Sequence, residues 1–129
     1  MYCNKQDLIT AFGQLEIERL AEQDSEIEKA IADAEAEINL YLANRYVLPI
    51  SDVPPALNRI ACDVAHYYLY ITVDKESTVY LRYQQRIKQL NDIATGKISL
   101  LLSEKDGQVN RPEEQQVVFI ETGKKVFGR

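Results

Sequence analysis

Tryptophan is absent from the sequence, histidine occurs once and cysteine twice. A closed zinc site needs about four ligands, so Cys3, Cys62 and His66 cannot complete one by themselves. Two cysteines in a chain long enough to build a core read as reduced thiols rather than as a disulfide framework. Five glycines and four prolines are few for 129 residues, which excludes collagen-like and low-complexity chains. No apolar run approaches the ~20 residues that span a bilayer. The N-terminus Met1-Tyr2-Cys3-Asn4-Lys5 lacks the apolar stretch of a signal peptide. A soluble protein made in the cytoplasm, without membrane contact, is the expectation. Basic residues are also short: 15 Lys and Arg against 20 Asp and Glu leave a net charge of −5. That disfavours a protein that grips nucleic acid by charge alone.

Hydrophobic residues make up 46% of the chain and charged residues 27%, enough apolar surface for one folded domain. Asn4 with Asp7 three residues on resembles a capping box. It predicts a short helix over 5–12, stopped by Gly13. Residues 14–23 are ambiguous and offer at most another helical turn carrying Leu15 and Leu20. Ile27, Ala30, Ile31, Ala34, Ile38, Tyr41 and Leu42 then fall at three- and four-residue steps, which predicts a helix over about 25–45. Pro49 ends it, and the connector through Pro54 is extended. Pro55 suits the first turn of the next helix, whose stripe runs from Leu57 to Leu69 and predicts a helix to about 72. Residues 74–77 cap a further helix carrying Val79, Tyr83, Ile87, Leu90 and Ala94, with its stop at Gly96.

The pattern predicts an all-α fold, a small bundle of about four amphipathic helices over residues 1–102. Residues 103–116 are almost wholly polar and read as a mobile segment. Val117, Val118, Phe119 and Ile120, then Val126 and Phe127, flank Gly123 and suggest an extended arm or a short β-hairpin.

Few constellations suggest chemistry. Cys62 and His66 lie one helical turn apart, yet burial preferences favour a half-buried thiol and a histidine at the core edge. With one histidine and two cysteines, no set of nucleophile, base and orienting group can be assembled, so the chain does not read as an enzyme. No cofactor is implied. Gly96-Lys97-Ile98-Ser99 lacks the earlier glycine and the strand of a phosphate loop and reads as a helix stop. Eight tyrosines suit core and interface packing better than base stacking, since no basic groove accompanies them. Glu26, Asp33 and Glu37 form an acidic stripe on one helix, and Arg82 with Arg86 a basic pair on another. Both read as exposed faces, and the two are expected to meet between subunits.

One resemblance is more specific. Met1-Tyr2, Asp7-Leu8 and Phe12-Gly13, the block from Asp33 to Pro49, the block from Pro54 to Tyr70, and Tyr83 with Leu90, Ile93, Ala94 and Gly96 resemble the Mu-like phage small head–tail connector family. This family was long catalogued as a phage domain of unknown function. The resemblance implies a structural protein of the phage neck, encoded by a phage or a prophage. It would act in head completion and form a ring between portal and tail around the DNA exit channel. The implied partners are other copies of itself, the portal and the tail-completion proteins. DNA would pass through without sequence-specific binding, past an acidic wall that opposes phosphate adhesion. The implied location is the virion neck, and the host cytoplasm before assembly. The expected subunit contacts are Glu26, Asp33, Glu37, Arg82 and Arg86, together with Val117, Val118, Phe119, Ile120, Val126 and Phe127 of the arm. A small helical adaptor or regulatory module that binds another protein is the alternative.

Overall fold

The fold is given by a computed structural model, which describes residues 1–102. Five helices follow one another: α1 (Lys5–Phe12), α2 (Gln14–Leu20), α3 (Asp24–Leu42), α4 (Pro55–Leu69) and α5 (Thr78–Ala94). The all-α expectation holds. The proposed arm or hairpin, including Val117–Ile120, Val126 and Phe127, lies outside the described residues.

Local chemistry explains each boundary. Asn4 accepts from the Asp7 amide at 2.8 Å while Asp7 accepts from the Asn4 amide at 3.0 Å, so the capping box is complete. Gly13, at φ 93°, closes α1 and opens α2 at the same residue; that left-handed backbone is cheap only for glycine. The stretch read as ambiguous is therefore a separate helix, and the bundle has five helices instead of about four. Its apolar signal is weak because only Ile17 is buried, while Leu15 points outward at 82% exposure. Gln23 and Glu26 form the box that starts α3. α3 ends at Leu42 and α4 at Leu69, each about three residues before the pattern suggested. Ser77 caps α5 by accepting from the Tyr80 amide at 3.2 Å. At the far end of α5, Gly96 adopts φ 92° and the Lys97 amide donates back to the Asp92 carbonyl at 2.8 Å, a glycine-mediated helix stop.

α3, α4 and α5 pack on one another, and α1 lies across α4. α4 is the central element: nine of its residues are buried, among them Leu57, Ile60, Val64 and Leu69. α3 contributes Ile27, Ile31, Ala34, Ile38 and Leu42, and α5 contributes Leu90 and Ile93. Fully burying one such aliphatic side chain stabilises by roughly 1.5–3 kcal/mol, so these stripes dominate the fold.

The two outer segments are pinned by polar contacts. Tyr2, 2% exposed, donates its phenol to Asn39 of α3 and accepts at its carbonyl from Asn58 of α4 at 2.9 Å. Tyr46, fully buried, accepts from the Leu100 amide at 3.1 Å, and Arg45 donates to the Ile93 and Ile98 carbonyls at 2.5 and 2.7 Å. The chain leaving α5 is thereby fastened to the end of α3.

Candidate functional site

The residues expected to form subunit contacts are mostly engaged within their own chain. Glu26 accepts from the Glu22 and Gln23 amides at 2.8 and 3.2 Å and so serves as a helix cap. Asp33 pairs with Lys29 one turn away at 2.7 Å. Glu37 is half-buried and accepts from the phenols of Tyr68 on α4 and Tyr83 on α5, the latter at 3.0 Å. It is a three-helix junction, not part of a solvated face. Burial, with Glu37 alongside, pushes the Tyr83 phenol up to about 12 and the Tyr68 phenol higher still. Tyr67 stacks on Tyr83 with ring centres 3.9 Å apart, so the tyrosines pack between helices as expected.

Arg86 also turns inward. Its Nε donates to Asp63 Oδ2 at 2.5 Å and its Nη1 to Gln89 at 2.8 Å. Asp63 is 9% exposed, so this is a buried ion pair between α4 and α5. Periodicity placed Arg86 on the surface because it reports where a Cα lies, and a long side chain can reach back from there.

Cys62 and His66 do not share a ligand. The neighbouring Cys62, together with burial, pushes the Cys3 thiol up. Both thiols are free and buried. His66, 4% exposed, stacks on Phe12 with ring centres 3.7 Å apart and bonds Glu16 at 3.2 Å. Burial holds the imidazole below its ordinary pKa. Glu16 also accepts from Arg19 at 2.6 Å and Tyr70 at 2.7 Å, and these bonds hold its carboxyl down to about 2. Sequence reasoning missed this cluster because Glu16 lies in the ambiguous stretch. The four-residue spacing of Cys62, His66 and Tyr70 was the available signal that one α4 face carries polar groups. Among the described residues, no group of three His, Cys, Asp or Glu side chains is arranged to hold a metal ion.

What remains open is a cleft of about 480 Å³ between α1 and α5, floored by α4. Thr10, Ala11 and Phe12 form one wall and Arg82 and Arg86 the other, with Arg59, Cys62 and Asp63 beneath. Asp7 at its edge is bonded to Asn58 at 3.1 Å. Arg82 sits 6.0 Å from the centre of the Phe12 ring. Neither Arg59 nor Arg82 forms an ion pair with a described residue, whereas Arg86 does. The cleft thus offers two uncompensated guanidinium groups beside an aromatic ring, on a protein whose net charge is negative.

The chain matches the family model described as Bacteriophage Mu, Gp36, over residues 2–119. It is 32% identical to the Mu-like prophage FluMu protein gp36 of Haemophilus influenzae, over 100% of this chain and 94% of that protein. It is 33% identical to gene product J of Escherichia phage Mu, over 82% of this chain and 73% of that protein. The chain belongs to the Bacteriophage Mu Gp36 family, and so to a family of phage and prophage proteins.

Proposed function

We propose that this member of the Mu Gp36 family is a structural protein of the phage neck, a head–tail connector acting in head completion. In this reading it assembles into a ring between portal and tail around the DNA exit channel. The observation that carries the proposal is family membership over nearly the whole chain, joined to the connector-like blocks at residues 1–13, 33–49 and 54–70. These blocks do structural work in the monomer. Tyr2, Asp7, Asn39 and Asn58 tie the N-terminal segment to α3 and α4. Two features agree with a non-enzymatic role. The single histidine is stacked and bonded at the core edge, and both thiols are buried in the interior. Neither thiol is therefore paired with the histidine as a base.

A ring forms when one surface of a subunit meets a different surface of the next and the rotation closes. Of the charged residues expected at that contact, Arg82 is the one with neither an ion pair nor a hydrogen bond to another described residue, so it is the proposed register contact. Val117–Ile120, Val126 and Phe127 are the proposed arm towards a neighbour or the portal. The net charge of −5 suits a channel wall past which DNA slides without adhesion.

Light scattering on the purified chain, alone and with the portal of the same phage or prophage, tests the reading. A defined higher-mass complex with the portal, containing several copies of this chain, is expected. A chain that stays monomeric with portal and tail-completion proteins present, and is missing from purified virions, would refute it.

A further inference from the structure

The arginine cleft is the one described cavity where cationic groups outnumber their partners. Its two carboxylates are already used, Asp63 by Arg86 and Asp7 by Asn58 and the α1 cap. Arg59 and Arg82 are left facing the opening, next to Phe12, Ala11 and Thr10. Two guanidinium groups beside an aromatic wall suit a carboxylate that carries an apolar neighbour: charge-assisted bonds hold the carboxylate and the ring covers the apolar group. A nucleic acid fits less well, because a long polyanion meets the net charge of −5 carried by the whole chain, whereas a short segment brings two charges to the arginines alone.

We infer that this cleft is the seat of the chain's own segment Glu113–Val117, with Glu113 and Glu114 at Arg59 and Arg82 and Val117 towards Phe12. Three observations lead there. First, Glu113-Glu114-Gln115-Gln116-Val117 has the required order, two adjacent acids followed by an apolar residue. Second, the length fits. Ten residues separate Leu102 from Glu113, a reach of roughly 35 Å when extended. The 17-residue α5, which that connection must pass, is only about 25 Å long. Third, the described chain ends fastened to the α3 terminus through Tyr46 and Arg45. The segment is thus tethered within reach of the cleft, at an effective concentration in the millimolar range, so that even a weak contact is populated. The inference concerns the isolated chain and holds or fails separately from the neck assignment.

The absence of tryptophan supplies the test. In full-length Val117→Trp the single indole reports whether residue 117 is covered. Blue-shifted emission that does not change with protein concentration is expected. Adding Arg59→Glu and Arg82→Glu should weaken docking about tenfold or more and move emission to that of a solvated indole. Adding Glu113→Arg and Glu114→Arg to that variant should restore the blue shift by charge exchange. Far-UV circular dichroism checks that each variant keeps its helices. A solvated indole in the starting protein, or an emission unmoved by the arginine reversals, overturns the inference. A blue shift that grows with concentration also overturns it, since the occupant would then be a second copy.

Discussion

Arg86 and Arg82 are one turn apart, and their replacement should have opposite consequences. Arg86→Met removes the guanidinium from Asp63, a carboxylate only 9% exposed and bonded at 2.5 Å. Leaving a fully buried charge without its partner costs about 3–5 kcal/mol. Here the Arg86 side chain is 26% exposed at the cleft, so water reaches the site and about 2–3 kcal/mol is the expected loss. For a domain of this size that lowers Tm by roughly 6–15 °C. Removing both charges, in Asp63→Leu/Arg86→Met, should recover most of the loss and return stability to within about 1 kcal/mol of the parent, because the desolvated carboxylate is gone too. Arg82→Ala breaks no ion pair within the described chain and should stay within about 0.5 kcal/mol. Thermal and urea unfolding followed by circular dichroism measures all four proteins. If Arg86→Met melts within about 2 °C of the parent, or if the double variant is no better than the single, the pair is not the buried junction described. The result also decides how assembly is probed: reversing Arg86 damages the fold, so Arg82→Glu is the variant to carry into the portal assay.

Glu37→Ala strips the acceptor from two half-buried phenols at the α3–α4–α5 junction and should cost about 2 kcal/mol, read from the urea midpoint; an unchanged midpoint would show that water replaces the carboxylate. Acid should destabilise the protein in two stages. His66 binds its proton less readily folded than unfolded, so stability is lost as pH falls below the ordinary histidine value. Glu16 is held down to about 2 against an ordinary 4.5, so its contribution, present above that ordinary value, is lost as pH falls from there towards 2. Melting temperatures across that range check both stages, and His66→Phe should erase the upper one and, by removing one of the bonds to Glu16, weaken the lower. Removing residues 104–129 should leave Tm nearly unchanged, because the described helices bury a cluster of their own from Tyr2 to Leu100, while portal-dependent assembly is lost; a Tm drop of more than about 5 °C would place the segment in the core.

The helices were legible because their signals are short-range. Leu57, Ile60, Val64 and Leu69 mark α4 by spacing alone, and Asn4 with Asp7 fixes the start of α1 within three residues. α2 was not legible as a helix, since a seven-residue element that buries only Ile17 carries no repeat to detect. Its existence depends on Gly13 turning the chain and on Glu16 collecting Arg19, His66 and Tyr70 from positions up to 54 residues away. Long-range hydrogen bonds of that kind leave no periodicity in the sequence.

The charged stripes teach a sharper lesson. A pattern reading counts Glu26, Asp33, Glu37, Arg82 and Arg86 as five equivalent surface charges and pairs the two signs across subunits. Geometry divides them by what each side chain can reach: Glu26 the amides of its own cap, Asp33 a lysine one turn back, Glu37 two phenols, Arg86 a buried aspartate. Those four are satisfied before any partner arrives, and a satisfied charge gains little from a second one because exposed pairs contribute only about 0–1 kcal/mol. Arg82 differs, as does Arg59, which the stripe analysis passed over. Both line one cleft and form no ion pair with a described residue. A subunit contact made through the stripe charges should therefore run through Arg82 and that cleft. The paired reversal of Arg59 and Arg82 is the perturbation that acts on this cleft and leaves the four satisfied charges in place.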